Sequence, residues 1–190
     1  MSESTTWPFT QEDKPTSFTL LARLTILFSW IGIHRFYAGK YYTGTLLIVL
    51  FFTVNTISAQ LPQGDNSLHP SLMLMQIVTI AIQMHDLFKV SFGFFKDAQG
   101  NPVVLTTSQS VQSDLQLGPL LVWASLFGIF GAHNFYAKKY QYAFLQLITL
   151  GGLGVWTIYE IFQITKGDFK DAKGLKVAHI YSKDPHIDIA

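Results

Sequence analysis

The chain of 190 residues contains no cysteine. That excludes disulfides, thiolate metal sites and cysteine nucleophiles. Charge is scarce as well: 13% of residues are Asp, Glu, Lys or Arg, against about 25% in ordinary soluble domains. The formal net charge of +1 gives no basis for binding a nucleic-acid polyanion. No phosphate-binding Gly-Lys-Ser/Thr loop, Gly-x-Ser-x-Gly elbow or His-Glu-x-x-His helix occurs. No catalytic residues, cofactor or metal site are expected. His34, His85 and Asp86 offer poor chelation, because neighbours on a helix point about 100° apart.

What is abundant is apolar: 49% hydrophobic residues, 15% of the chain aromatic. They gather in blocks with almost no charge inside. Residues 18–33 and 118–132 form two short blocks, Thr43 to Ala59 and Leu72 to Phe95 two long ones. A span needs about 20 apolar residues for a core of roughly 30 Å. The long blocks meet this; the short ones suit re-entrant or interfacial helices. Residues 140–150 and 155–164 are separated by Gly151-Gly152-Leu153-Gly154, read as a break or tight turn. The polar start, residues 1–17, lacks the base-then-apolar order of a secretory signal and is expected to be retained.

One stretch occurs twice: Gly32-Ile33-His34-Arg35-Phe36-Tyr37-Ala38-Gly39-Lys40 and Gly131-Ala132-His133-Asn134-Phe135-Tyr136-Ala137-Lys138-Lys139. Glycines, paired rings and bases suit a membrane–water boundary, so Gly32, His34, Arg35, Phe36, Tyr37, Gly39, Gly131, His133, Phe135 and Tyr136 are expected to be interfacial anchors. A second motif also recurs. Asp97-Ala-Gln-Gly100 and Asp171-Ala-Lys-Gly174 read as turns, with Asp bonding the backbone and Gly taking a positive φ. The anchors lie 99 positions apart, the turns 74, so the first copy carries 25 extra residues around the loop at 60–71.

The expected organisation is a polar tail (1–17), a first repeat (18–100), a linker (101–116), a second repeat (117–176) and a tail (177–190). Bases cluster at the anchors and turns and avoid the hairpin tips, which places anchors, turns and both termini on the cytoplasmic side. The expectation is therefore an all-α integral membrane protein with internal duplication, four crossings and two short re-entrant or interfacial helices. A five-crossing arrangement with opposed halves would leave Lys138 and Lys139 outside. Asp86 and Glu160, also 74 apart, are intramembrane acids. Such groups normally carry partners, and His34 with Asp86 and His133 with Glu160 are the expected pairs, pinning helices together.

These residues resemble the two-transmembrane (TM two) domain family: Gly-x-His-x-Phe-Tyr after a short apolar run, an apolar segment, an acid, then Asp-Ala-x-Gly. The pattern is met over residues 20–103 and 117–177. The family's glycine after Phe-Tyr-x stands at Gly39 but is replaced by Lys138; its later glycine stands at Gly44 but is replaced by Ala143. Its Trp and acid on the last helix resemble Trp156 and Glu160; the first copy has Asp86 but no Trp. The resemblance implies a small membrane domain without a defined reaction. The expected function is a non-enzymatic scaffold or accessory subunit in a bacterial inner (plasma) membrane. Its partners would be the lipid bilayer and either a membrane protein or another copy. The rival is a self-associating channel or transporter.

Overall fold

The computed structural model describes residues 16–60, 70–105 and 113–178. Most of both tails, most of the inserted loop and residues 106–112 of the linker lie outside the described residues.

Among the described residues the fold is all-helical, with only two isolated β-bridges. Helix α1 (Phe18–Phe28) runs into a 3-10 turn (Ser29–Ile31), and Gly32 at φ 77° reverses the chain into the short α2 (Ile33–Tyr37). The backbone N–H of Ser17, just before α1, donates to the Tyr37 hydroxyl at 3.0 Å, so start and finish of this unit lie side by side. Helices α3 (Tyr41–Gln60) and α4 (Pro70–Ser91) follow as the long hairpin. The succession then recurs: α5 (Leu117–Phe127), a 3-10 turn (Gly128–Phe130), Gly131 at φ 73° and α6 (Ala132–Tyr136). Gln116 N–H donates to the Tyr136 hydroxyl at 3.2 Å, as Ser17 does to Tyr37.

The second hairpin is short. Helix α7 (Tyr140–Ile148) and α9 (Val155–Lys166) are joined by a one-turn element, α8 (Leu150–Leu153). Residues Leu150, Gly151, Gly152, Leu153 and Gly154 all have positive φ, from 49° to 86°. A left-handed turn of this kind is costly for leucine and easy for glycine, which explains the three glycines. At 1.5 Å per residue, α7 spans about 14 Å and α9 about 18 Å, against about 30 Å for α3.

The core lies between the halves. Helix α1 buries Phe18, Leu21, Ala22 and Thr25, one stripe of helical spacing; α5 buries Leu117, Leu120, Leu121 and Ala124 in the same rhythm. Both stripes enter one cluster with Val90 of α4 and Ile161 and Ile164 of α9. Helix α1 packs on α4 and also on α9; α5 packs on α9 and also on α4. Polar bonds cross the same seam. Arg23 Nε donates to Thr165 Oγ1 at 3.1 Å, and its guanidinium lies 4.2 Å from the centre of the Phe162 ring.

Helices α3 and α4 are long and apolar enough to cross a membrane, with mean hydropathy 1.5 and 1.3 in their best windows. Only 17% of each window is buried, so neither is the enclosed core helix of a water-soluble globule. After the Asp97 turn, Pro102 bridges back to Lys96, and Val103 is buried with its N–H on the Phe95 carbonyl at 2.9 Å.

Candidate functional site: two clasped carboxylates

Glycine sets the geometry of each corner. A Cβ on Gly32 would meet Leu47 Cβ at 3.0 Å, and one on Gly131 would meet the Ala143 carbonyl oxygen at 2.9 Å. The corner therefore presses against the next helix, α3 or α7, and aims its histidine inward.

In the first half, His34 Nε2 lies 2.9 Å from Asp86 Oδ2. Arg35 adds a two-pronged grip, Nε donating to Oδ2 at 2.6 Å and Nη2 to Oδ1 at 2.9 Å. Parallel guanidinium–carboxylate bonds are among the strongest side-chain pairings. His34 is wholly buried and Asp86 is 3% exposed. In the second half, His133 Nε2 lies 2.7 Å from Glu160 Oε2. Asn134 Nδ2 donates to Glu160 Oε1 at 3.0 Å, and Gln146 Nε2 donates to Oε2 at 3.0 Å. Asn134 also donates to Gln146 Oε1 at 2.7 Å, and Thr157 donates to the Gly128 carbonyl at 3.1 Å. Each carboxylate thus ties a corner to the last helix of its half.

The corner histidines are packed inside the protein. Both are fully enclosed, and among the described residues their Nδ1 atoms have no hydrogen-bond partner. The carboxylates draw them in, since a buried acid without donors is far costlier than a buried imidazole. Phe36, Tyr37, Phe135 and Tyr136 are half-buried at the corner's edge. The Arg35 side chain is 16% exposed and spent on Asp86. Asn134 escaped the sequence reading altogether. Its only signal was its place, 99 positions after Arg35 and beside the paired histidine.

The turns sit beneath the corners. Asn101 N–H donates to Asp97 Oδ1 at 2.8 Å, and Lys173 and Leu175 N–H donate to Asp171 Oδ1 at 2.8 and 2.9 Å. Gly100 and Gly174 have φ 87° and 79°. Ala98 N–H reaches the Ala38 carbonyl at 2.9 Å and Ala172 N–H the Ala137 carbonyl at 3.1 Å, locking turn to corner in both halves. Burial works against ionised Asp171. The Ser113 hydroxyl, at 2.6 Å, and the turn's N–H groups outweigh it and hold the carboxyl below its usual range. Asp168 is likewise lowered, by its exposed ion pair with Lys176. Desolvation lowers Lys40, whose ammonium lies 4.4 Å from the Phe95 ring centre. Lys139 sits over Phe169 in the same way at 4.6 Å.

Both carboxylates are enclosed by the donors that converge on them, Asp86 3% and Glu160 5% exposed. Among the described residues no three His, Asp or Glu side chains gather closely enough to hold a metal ion. No curated protein and no solved structure matches the chain. One family model does, and it covers α5 from Pro119, the His133 corner, the short hairpin and α9 as far as Phe162. A TM2 domain is found at residues 119–162, which together with the two long apolar helices points to a membrane protein.

Proposed function

We propose that this is a small multi-pass membrane protein that works as a non-enzymatic scaffold or accessory subunit in a plasma (bacterial inner) membrane, through helix packing against other membrane components. The observation that carries the reading is the division of labour among its side chains. The central ionisable groups are spent on internal clasps. The outward faces, by contrast, offer large apolar groups such as Phe52, Leu74, Phe94, Ile148 and Leu153. That surface suits lipid and protein contact.

The membrane placement is part of the proposal. Helices α3 and α4 have the length for full crossings. The four crossings expected from sequence would need α7 and α9 to span as well, and their lengths support a shallow hairpin instead. Helices α1 and α5, each turning back at a corner, are re-entrant. The bases of the corners and turns place that end of the molecule in the cytoplasm. The matching joints, turns and corners support descent of the two halves from one duplicated unit.

Mild detergent extraction of membranes and affinity recovery of the tagged chain test the scaffold reading. A partner or second copy at fixed stoichiometry is the expected result. Ion flux in liposomes carrying the purified chain, abolished in Asp86→Asn, would replace it with the channel.

A further inference from the structure

We propose that a second copy of this chain docks on the cleft between α3 and α4, hydrogen-bonding through the carboxamides that line it. This rests on the reading above that the long hairpin crosses the bilayer.

The long hairpin outgrows the rest of the molecule. By the 99-residue correspondence, Val54 matches Leu153, so the second hairpin turns back where the first still has its farther portion to run. Residues 55–60 of α3 and the facing start of α4 therefore lack the lateral cover that the corner gives to Leu47 and Gly44. Where this uncovered portion meets the 3-10 turn that carries Trp30, a cavity of about 260 Å³ opens between the two helices, floored by Trp30 and Phe51 and flanked by Asn55, Gln76 and Gln83.

These three carboxamides are out of place. In a helix facing hydrocarbon, an amide without a partner costs several kcal/mol. Thr79, in the same cleft, satisfies itself, its Oγ1 donating to the Met75 carbonyl at 2.8 Å. Asn55 spends one hydrogen on the Phe51 carbonyl at 2.7 Å, and no acceptor bond to its Oδ1 occurs among the described residues. Gln76 and Gln83 make no side-chain hydrogen bond among the described residues, in contrast to Gln146, which is fully engaged in the second clasp.

The chemistry selects the occupant. Acyl chains offer no donor or acceptor. A carboxamide offers both, and so matches its own kind across a twofold axis, the arrangement in which one patch serves both partners. Amide side chains are established glue between membrane helices. The cleft carries no charge to oppose a second identical cleft: Asn55, Gln76, Thr79 and Gln83 are all neutral.

The absence of cysteine makes the test clean. Ile80→Cys places a thiol at the cleft, on a residue 56% exposed; Val49→Cys places one on the opposite side of the hairpin at 55% exposure. Membranes containing each variant are washed at alkaline pH, oxidised and run without reductant. Ile80→Cys should give a disulfide-linked dimer and Val49→Cys should not. Adding Asn55→Leu and Gln76→Leu to Ile80→Cys should lower the dimer yield roughly tenfold. Equal yields from the two cysteines, no dimer from Ile80→Cys, or a yield indifferent to the leucines would overturn the proposal while α3 and α4 remain membrane helices. Release of the chain by the alkaline wash would remove the crossing itself, and the docked pair with it.

Discussion

Arg35 and Asn134 hold the same place in the two clasps, yet only Arg35 brings a charge to its carboxylate. Asp86 is therefore matched by a guanidinium, Glu160 by amides and an imidazole. Removing the acid should cost the halves unequally. Asp86→Asn strands an enclosed guanidinium, and breaking such a pair costs about 3–5 kcal/mol. Glu160→Gln keeps an acceptor for Asn134 and loses only charge-assisted strength, about 1–3 kcal/mol. Unfolding in mixed micelles should rank Asp86→Asn as the more damaging, and Asp86→Asn with Arg35→Leu should recover much of the loss.

Lys138 stands at φ 61° where the first half uses Gly39 at φ 76°. A side chain in that region costs about 1–2 kcal/mol. Lys138→Gly should therefore raise the melting temperature. Gly39→Ala should lower it, the more so because its Cβ would lie 2.9 Å from that of Ala98. Thermal unfolding of both in one detergent reads the two signs.

The glycines of the left-handed turn are not equivalent. A Cβ on Gly151 would press into Thr157 Oγ1 and lie 3.2 Å from the Ile129 backbone, whereas one on Gly152 would meet only Trp156 Cβ at 3.5 Å. Gly152→Ala should cost about 1–2 kcal/mol, the strain of the positive φ alone. Gly151→Ala should cost clearly more and loosen α9. Limited proteolysis near residue 154 would report it.

Asp171 supplies a pH dependence with a definite sign. Its carboxyl is held below the unfolded value of about 3.9, so the stability it contributes is present in full above that pH. That contribution disappears as pH falls through the lower, folded value. The melting temperature should drop between pH 5 and pH 3, and drop less in Asp171→Asn. Ser113→Ala should shrink the difference too, since it removes the 2.6 Å donor.

Much of this architecture is legible in the chain as written. Repetition exposes the corners and turns, because glycine at a positive φ and an aspartate bonding its own backbone leave local signatures. Matching offsets of 99 and 74 bring each histidine to its acid without any coordinates. What escapes is whatever depends on a partner far along the chain. Arg35 looks like a surface base until Asp86 is seen 2.6 Å away. Asn134 and Gln146 carry no charge to draw attention, and their role exists only when Glu160 lies between them. Helical spacing shows that Leu21 and Leu120 face inward, but not that both halves share a single interior. The glycine run reads as a break; that two leucines join it at positive φ leaves no local signature.

The seam between α1 and α9 has a consequence for biosynthesis. Arg23 and Thr19, in α1, bond to Thr165 in α9, which is made more than 130 residues later. The nascent first half must wait, its stripe of Leu21 and Ala22 not fully covered, until α9 has been made. Truncation before Lys166 should therefore leave a chain that quality-control proteases degrade whole, rather than a stable first half.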